Sequence, residues 1–239
     1  MERPKYSRTF SFFSKDVYFC VEMKDCAVIF DLDGTLADTL EDIADNMNRV
    51  LAGMSFPAHQ YDAYRFYVGG GLRNLVVQCL PENARTDDMI AACHDRMVAE
   101  YHINYLNKTR LYDGIPELLD ALSLQNVKMA VLSNKADPLT QKICKVLLEN
   151  WKFDVILGAT ERFPRKPDPA AALFISGQMG VNPANIYYLG DSDVDMKTAI
   201  AADFYPVGAG WGFRGKKELV ENGARLVIDH PAEFLQVIK

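Results

Sequence analysis

The stretch Val28-Ile29-Phe30-Asp31-Leu32-Asp33-Gly34-Thr35-Leu36 passes abruptly from apolar residues to two carboxylates and a glycine. From Ala27 to Phe30 the chain is continuously apolar rather than alternating, the pattern of a strand buried on both faces of a parallel sheet. Asp31 and Asp33 then fall at the strand's C-terminal exit, where open α/β sheets gather their ligands. Carboxylates against apolar walls take up protons unless a cation or a chemical task keeps them ionised. An acidic turn closed by Gly34 in a left-handed conformation would also account for this stretch taken alone.

The flanking sequence supports an α/β class. From Asp38 to Ala52, the residues Leu40, Ile43, Ala44, Met47, Val50 and Leu51 recur at helical spacing. Asp38 or Thr39 is placed to cap this helix, and Gly53 and Pro57 to stop it. Tyr61 to Val68, Leu72 to Leu80 and Asp87 to Tyr105 read as further helices with no strand signal between them. Residues 39–108 are therefore expected to form an all-helical insert within an α/β core made of 23–38 and 109–239. Beyond Leu111, strands are predicted at Val127–Leu132, Phe153–Leu157, Ile186–Leu189, Phe204–Val207 and Leu226–Ile228. Helices are predicted between them, at Ile115–Leu124, Asp137–Leu148, Ala170–Met179, Val194–Ala202 and Lys216–Asn222. This alternation implies a three-layer, Rossmann-like core, a parallel sheet with helices on both faces.

Composition narrows the function classes. The 239 residues, 49% of them hydrophobic, suffice for a sizeable core, and a net charge of −6 gives no global basic footprint for nucleic acid. No apolar run approaches a membrane span. Cys20, Cys26, Cys79, Cys93 and Cys144 are odd in number and form no CxxC pair, which fits reduced thiols and a cytoplasmic location. Residues 1–22 are rich in aromatics but interrupted by Lys15 and Asp16, a poor match to a secretory leader. Met23, which leads directly into the first strand, is read as the natural start, with residues 1–22 a dispensable extension or, alternatively, an extra helix or arm docking through its aromatics.

Three more stretches carry chemistry. The second core strand ends in Ser133-Asn134-Lys135, where a hydroxyl could donate to a phosphoryl oxygen or cap the next helix. Arg165-Lys166-Pro167-Asp168-Pro169 restrains a lysine by the adjacent proline, and a lysine is a point charge for phosphate. Leu189-Gly190-Asp191-Ser192-Asp193-Val194-Asp195 again puts acids at a strand exit. A helix N-terminus explains Asp193 and Asp195 more readily than Asp191.

In order and placement these four stretches resemble the four motifs of the haloacid dehalogenase superfamily of phosphohydrolases, and phosphoglycolate phosphatase-like members in particular. The resemblance spans nearly all of residues 23–239. It implies Asp31 as nucleophile, Asp33 as general acid and base, Ser133 and Lys166 on the phosphoryl group, and Thr35 and Asn134 beside the substrate. It implies Mg²⁺ held by Asp31, Asp191 and the Asp33 carbonyl, with Asp195 an outer ligand or an orienter of Lys166. A cation is physically reasonable there: each like-charge pair about 4 Å apart costs about 4 kcal/mol at an effective dielectric of about 20. Oxygen donors without a His/Cys cluster suit Mg²⁺ rather than zinc.

The helical insert resembles the superfamily's cap. Within it, Gly69-Gly70-Gly71-Leu72-Arg73 could offer backbone N–H groups and a guanidinium to a small carboxylate, with Gly70, Gly71 and Arg73 as candidate contacts, or it could be a simple connection. Tyr64 and Arg65 are weaker candidates. Gly210-Trp211-Gly212-Phe213-Arg214-Gly215 formally matches a dinucleotide fingerprint, but its helix is short and the loop is expected to border the same site. The implied activity is hydrolysis of a small phosphorylated metabolite, 2-phosphoglycolate first. A phosphomutase, a pyrophosphatase and a non-catalytic phosphate-binding module are the alternatives, and oligomeric state is not readable.

Overall fold

The computed structural model describes residues 26–238, so Met23 and the extension 1–22 lie outside the described residues. Six parallel strands form the core sheet: β1 (Ala27–Phe30), β4 (Lys128–Ala136), β5 (Val155–Ala159), β6 (Ile186–Gly190), β7 (Tyr205–Ala209) and β8 (Leu226–Ile228). Their order is β5-β4-β1-β6-β7-β8. From β1 the chain builds outward on one side through β4 and β5, then returns to lay β6, β7 and β8 on the other. The crevice at this switch, at the C-terminal ends of β1 and β6, is where such sheets bind ligands.

The apolar residues of β1 explain its central place. All four are fully buried, with Val28 and Phe30 on one face and Ala27 and Ile29 on the other. The first face packs with Leu118, Leu119 and Leu122 of α5 (Ile115–Leu124) and Ile143 of α6 (Asp137–Leu147). The second packs with Ala172 and Ile175 of α7 (Ala170–Met179) and Ala199 of α8 (Asp193–Ala201). A short α9 (Lys216–Glu221) precedes β8. The three-layer α/β expectation is met.

Between β1 and α5 lie four α-helices: α1 (Leu40–Gly53), α2 (Tyr61–Tyr67), α3 (Leu72–Cys79) and α4 (Asp87–Asn104). They join the core through a two-residue antiparallel ribbon that the sequence pattern does not announce, β2 (Ala37–Asp38) against β3 (Arg110–Leu111). Buried Asp42 fastens this root. Its carboxylate accepts from the Lys108 and Thr109 amides at 2.9 and 2.8 Å and from the Thr109 hydroxyl at 2.7 Å.

The largest departure from the predicted elements is β4, which continues past Leu132 to Ala136 with a register irregularity between those two residues. Ser133, Asn134 and Lys135 therefore belong to the strand itself. Among the described residues no helix is long and apolar enough to cross a membrane, and Cys26, Cys79, Cys93 and Cys144 form no disulfide.

Candidate active site

Asp31 leaves β1 under tight control: its amide donates to the Leu189 carbonyl of β6 at 2.9 Å, and the residue is only 7% exposed. Lys166 Nζ sits 2.8 Å from Asp31 Oδ1 and 2.7 Å from Asp195 Oδ1. Asp195 is fixed in turn by the N-terminus of α8, its Oδ2 accepting from the Ser192 amide at 3.1 Å and hydroxyl at 2.5 Å. This is a capping box, with the carboxylate reaching back to Ser192, the residue just before the helix. Lys166 is thus aimed at Asp31 by a carboxylate that the helix itself holds.

Negative charge is under-compensated here. Burial pushes the Asp31 carboxyl up to about 7, against the pull of Lys166, and Asp195 and Asp33 add to the rise. Asp191, 2% exposed, is raised well above the carboxylate range by burial and then by Asp195 and Asp31. Burial works to lower the Lys166 ammonium, but Asp195 and Asp31 outweigh it and hold it well above an ordinary lysine. Oxygens of Asp31, Asp191 and Asp195 lie within 4.8 Å of one another. A hard divalent cation fits this all-oxygen set. Since both Asp195 oxygens are engaged by Lys166 and Ser192, the direct carboxylate ligands it would find are Asp31 and Asp191.

Asp33 has a separate environment. Its Oδ1 accepts from the Thr39 hydroxyl at 2.6 Å and pairs closely with Lys135 Nζ. Of the two residues placed to cap α1, Thr39 makes no side-chain cap bond and its hydroxyl donates to Asp33, while the Asp38 carboxylate accepts from the Leu40 amide at 3.4 Å. Lys135 Nζ also donates to the buried Tyr101 hydroxyl of α4 at 3.2 Å. Lys135 was not singled out from the sequence. It lines the cleft with Ser133, but the irregular register of β4 between Leu132 and Ala136 leaves no two-residue period that could have marked it.

A cleft of about 740 Å³, counting its open mouth, lies between sheet and insert. Asp31, Asp33, Ser133, Asn134, Lys166 and Asp191 line it, as do Gly69 and Gly71. The Ser133 hydroxyl accepts from the Lys135 amide at 3.1 Å and keeps its own proton for a ligand. Asn134 is engaged with backbone: it donates to the carbonyls of Gly69 and Lys166 at 2.9 and 3.1 Å and accepts from the Lys166 amide at 2.9 Å. That ties the insert's glycine loop to the lysine.

The other sequence-predicted contacts stand elsewhere. Arg73 points away to exposed Asp87 at 3.0 Å, and neither it nor exposed Gly70 is among the cleft-lining residues. Thr35 is fully buried outside the cleft lining, its hydroxyl without a partner among the described residues. The expected substrate roles of Arg73, Gly70 and Thr35 therefore have no support in this arrangement. Tyr64 is buried and donates to Asn48 at 2.7 Å, while Arg65 pairs with Asp62 at 3.6 Å.

The Gly210–Gly215 loop closes the other side of the acids. The Phe213 amide donates to Asp191 Oδ2 at 2.7 Å and the Trp211 indole to the Thr35 carbonyl at 3.0 Å. Gly212 serves this packing. A Cβ on Gly212 would stand 2.2 Å from Asp191 Cβ and 2.4 Å from the Gly34 carbonyl. Gly212→Ala is accordingly expected to cost about 1–3 kcal/mol of stability through overpacking and to displace Asp191. Denaturant unfolding and metal titration of the variant would check this, and an unchanged midpoint with unchanged metal affinity would count against it.

Comparison with known proteins agrees with this geometry. A phosphoglycolate phosphatase from Pseudomonas putida is 32% identical over 205 residues, covering 84% of this chain and 75% of its own length. One from Aquifex aeolicus is 31% identical over 190 residues, covering 78% and 85%. The crystal structure of a predicted phosphoglycolate phosphatase from Haemophilus somnus superposes with a TM-score of 0.83 at 26% identity, covering 90% of this chain and 98% of that one. Residues 28–208 match the profile of the family described as haloacid dehalogenase-like hydrolases. With that match across most of its length, the chain belongs to the haloacid dehalogenase-like hydrolase family.

Proposed function

We propose that this hydrolase is a Mg²⁺-dependent phosphatase of small phosphate monoesters, with 2-phosphoglycolate as the first candidate substrate. The observation that carries the reading is Lys166, held by Asp195 and placed 2.8 Å from Asp31 beside Asp191. That is a nucleophile, a phosphate counter-charge and a metal ligand in one buried corner. The phosphoglycolate phosphatases among the relatives favour the same substrate.

In the proposed first step, Asp31 attacks phosphorus; the new bond is carboxylate oxygen to phosphorus, and the ester P–O bond breaks. Asp33 gives the departing alkoxide its proton. In the second step Asp33 takes a proton from water as that water attacks the aspartyl-phosphate, releasing inorganic phosphate and restoring Asp31. The Ser133 hydroxyl and Lys166 hold the equatorial oxygens, where fixed charge and positioning dominate phosphoryl transfer. Mg²⁺ held by Asp31, Asp191 and the Asp33 carbonyl would cancel the repulsion between carboxylate and phosphate. Asp195 positions Lys166, and Asn134 fixes both that lysine's backbone and the glycine loop of residues 39–108, read as a cap over the cleft. Cysteines without a disulfide among the described residues suit the cytoplasmic location proposed with this reading.

Inorganic phosphate release from a panel including 2-phosphoglycolate, pyrophosphate, sugar phosphates and nucleoside monophosphates tests the proposal. Release is expected with Mg²⁺ and should fall about 100-fold or more with EDTA. Conversion of a sugar phosphate to its isomer without phosphate release would instead identify a mutase.

A further inference from the structure

Three cations line the cleft: Lys166, Arg214 and Lys135. Lys166 is held by Asp31 and Asp195, and its remaining donor is already assigned to the phosphoryl oxygens. The Arg214 guanidinium is directed to the insert, donating to the Phe66 and Val68 carbonyls at 3.1 and 3.3 Å and lying over the Phe66 ring. Lys135 differs from both. Its side chain is 7% exposed, and its ammonium contacts Asp33 and, at 3.2 Å, the Tyr101 hydroxyl. An ammonium carries three N–H donors, so one remains without a protein partner among the described residues.

That donor stands where a leaving group would lie. Asp33, the group proposed to protonate the leaving oxygen, is the immediate neighbour of Lys135. The surrounding wall is apolar, with Ile43, Leu72, Leu75, Met97 and Leu139. An anion entering such a wall needs a cation within reach, because isolated charge is strongly disfavoured there. Arg73, the cation the sequence suggested for this task, lies out on Asp87.

We propose that Lys135, steadied by Tyr101, is the residue that selects phosphate esters whose leaving group carries a carboxylate, by donating its open N–H to that carboxylate. The assignment rests on the phosphatase reading above and deepens it from small monoesters in general to phosphorylated hydroxy acids. Tyr101 is a positioning residue: it comes from the insert, lines the cleft beside Lys135 and accepts one of its N–H donors. Selection would therefore depend on the insert being seated on the core.

Binding to the Asp31→Asn protein, measured by calorimetry with 2-phosphoglycolate and with 2-hydroxyethyl phosphate, tests this without requiring turnover. The two ligands share the phosphate and the chain length and differ in the carboxylate. The Asp31→Asn protein should bind 2-phosphoglycolate on the order of 10- to 100-fold more tightly. Adding Lys135→Gln should remove that preference while leaving 2-hydroxyethyl phosphate affinity within a few fold. Lys135→Arg should keep part of it, and Tyr101→Phe should reduce it. A preference absent in the Asp31→Asn protein, or intact after Lys135→Gln, overturns the proposal. Should Lys135→Gln fail to fold, the Tyr101→Phe and Lys135→Arg ratios decide: both equal to the parent's overturns it. Phosphate release by the parent protein is read separately, so failure of the phosphatase reading remains distinguishable from failure of the Lys135 assignment.

Discussion

Asp31→Asn is expected to lower kcat by at least about 10⁴-fold, the scale seen when an essential member of a catalytic constellation is removed. The metal-free protein should nevertheless stay folded and melt higher than the parent. Activity falls because an amide cannot serve as the attacking carboxylate. Stability rises because Asp31 is an ionisable group held where its charge is costly, pushed up to about 7 chiefly by burial. Its reference value is 3.8, so between these two pH values the folded state binds the proton more tightly than the unfolded one. The stabilisation is complete below the lower value and is lost as pH rises through the upper one. Metal-free stability should fall across that window in the parent, and this contribution should vanish in the variant. At neutral pH the melting temperature should rise by about 2–4 °C for each kcal/mol relieved. Thermal melts from pH 4 to 8 in EDTA, beside phosphate release in Mg²⁺, measure both effects. Retained turnover would remove Asp31 from the nucleophilic role, and a lower melting temperature would contradict the burial argument.

Lys166→Met should injure the protein twice. The lysine is 2% exposed at its side chain and joins Asp31 to Asp195, which is fully buried. Removing one member of a buried ion network leaves carboxylates facing each other with no counter-charge, a loss of about 3–5 kcal/mol. Turnover should also drop by about 10³-fold, since a fixed charge on the transferring group is gone. Arginine should rescue poorly, because a planar guanidinium cannot occupy the site of a compact ammonium between two carboxylates. The contrast with Asp31→Asn is diagnostic: both variants lose activity, but one gains stability in EDTA and the other loses it. Guanidinium unfolding curves would show this, and a Lys166→Met protein as stable as the parent would mean that the network is not a structural support.

What could be read from the chain follows from where its physics is local. The strand exits bearing Asp31 and Asp191 were legible because an apolar run meeting an acid needs no partner to be recognised. The insert was legible as helices because α1 keeps its spacing for several turns. Less local features escaped. The β2–β3 ribbon joins Ala37 to Leu111 by two-residue strands with no pattern to detect. The Lys135–Tyr101 contact depends on how α4 lies over β4, which neither segment encodes alone. Arg73 was misplaced because its helix face was unknown until α3 was set against its neighbours. Thr39 stands at the cap position of α1 without a side-chain cap bond, and its hydroxyl donates instead to Asp33, a partner brought near only by the fold of the turn.

The place of β1 at the middle of the sheet also bears on how the molecule is made. Phe30 pairs with Val131 on one side and Leu189 on the other. A ribosome finishes the strand preceding Asp31 early and must then synthesise most of the remaining chain before that strand has both neighbours. Until β6 emerges, an apolar segment and its two acids wait with one edge unpaired, the condition under which nascent chains stray into aggregation. The helical insert, emerging next and rich in contacts close in sequence, can gather itself during that interval. The corner around Asp31 is therefore among the last things completed, and its charged cluster closes only when the sheet that shields it does.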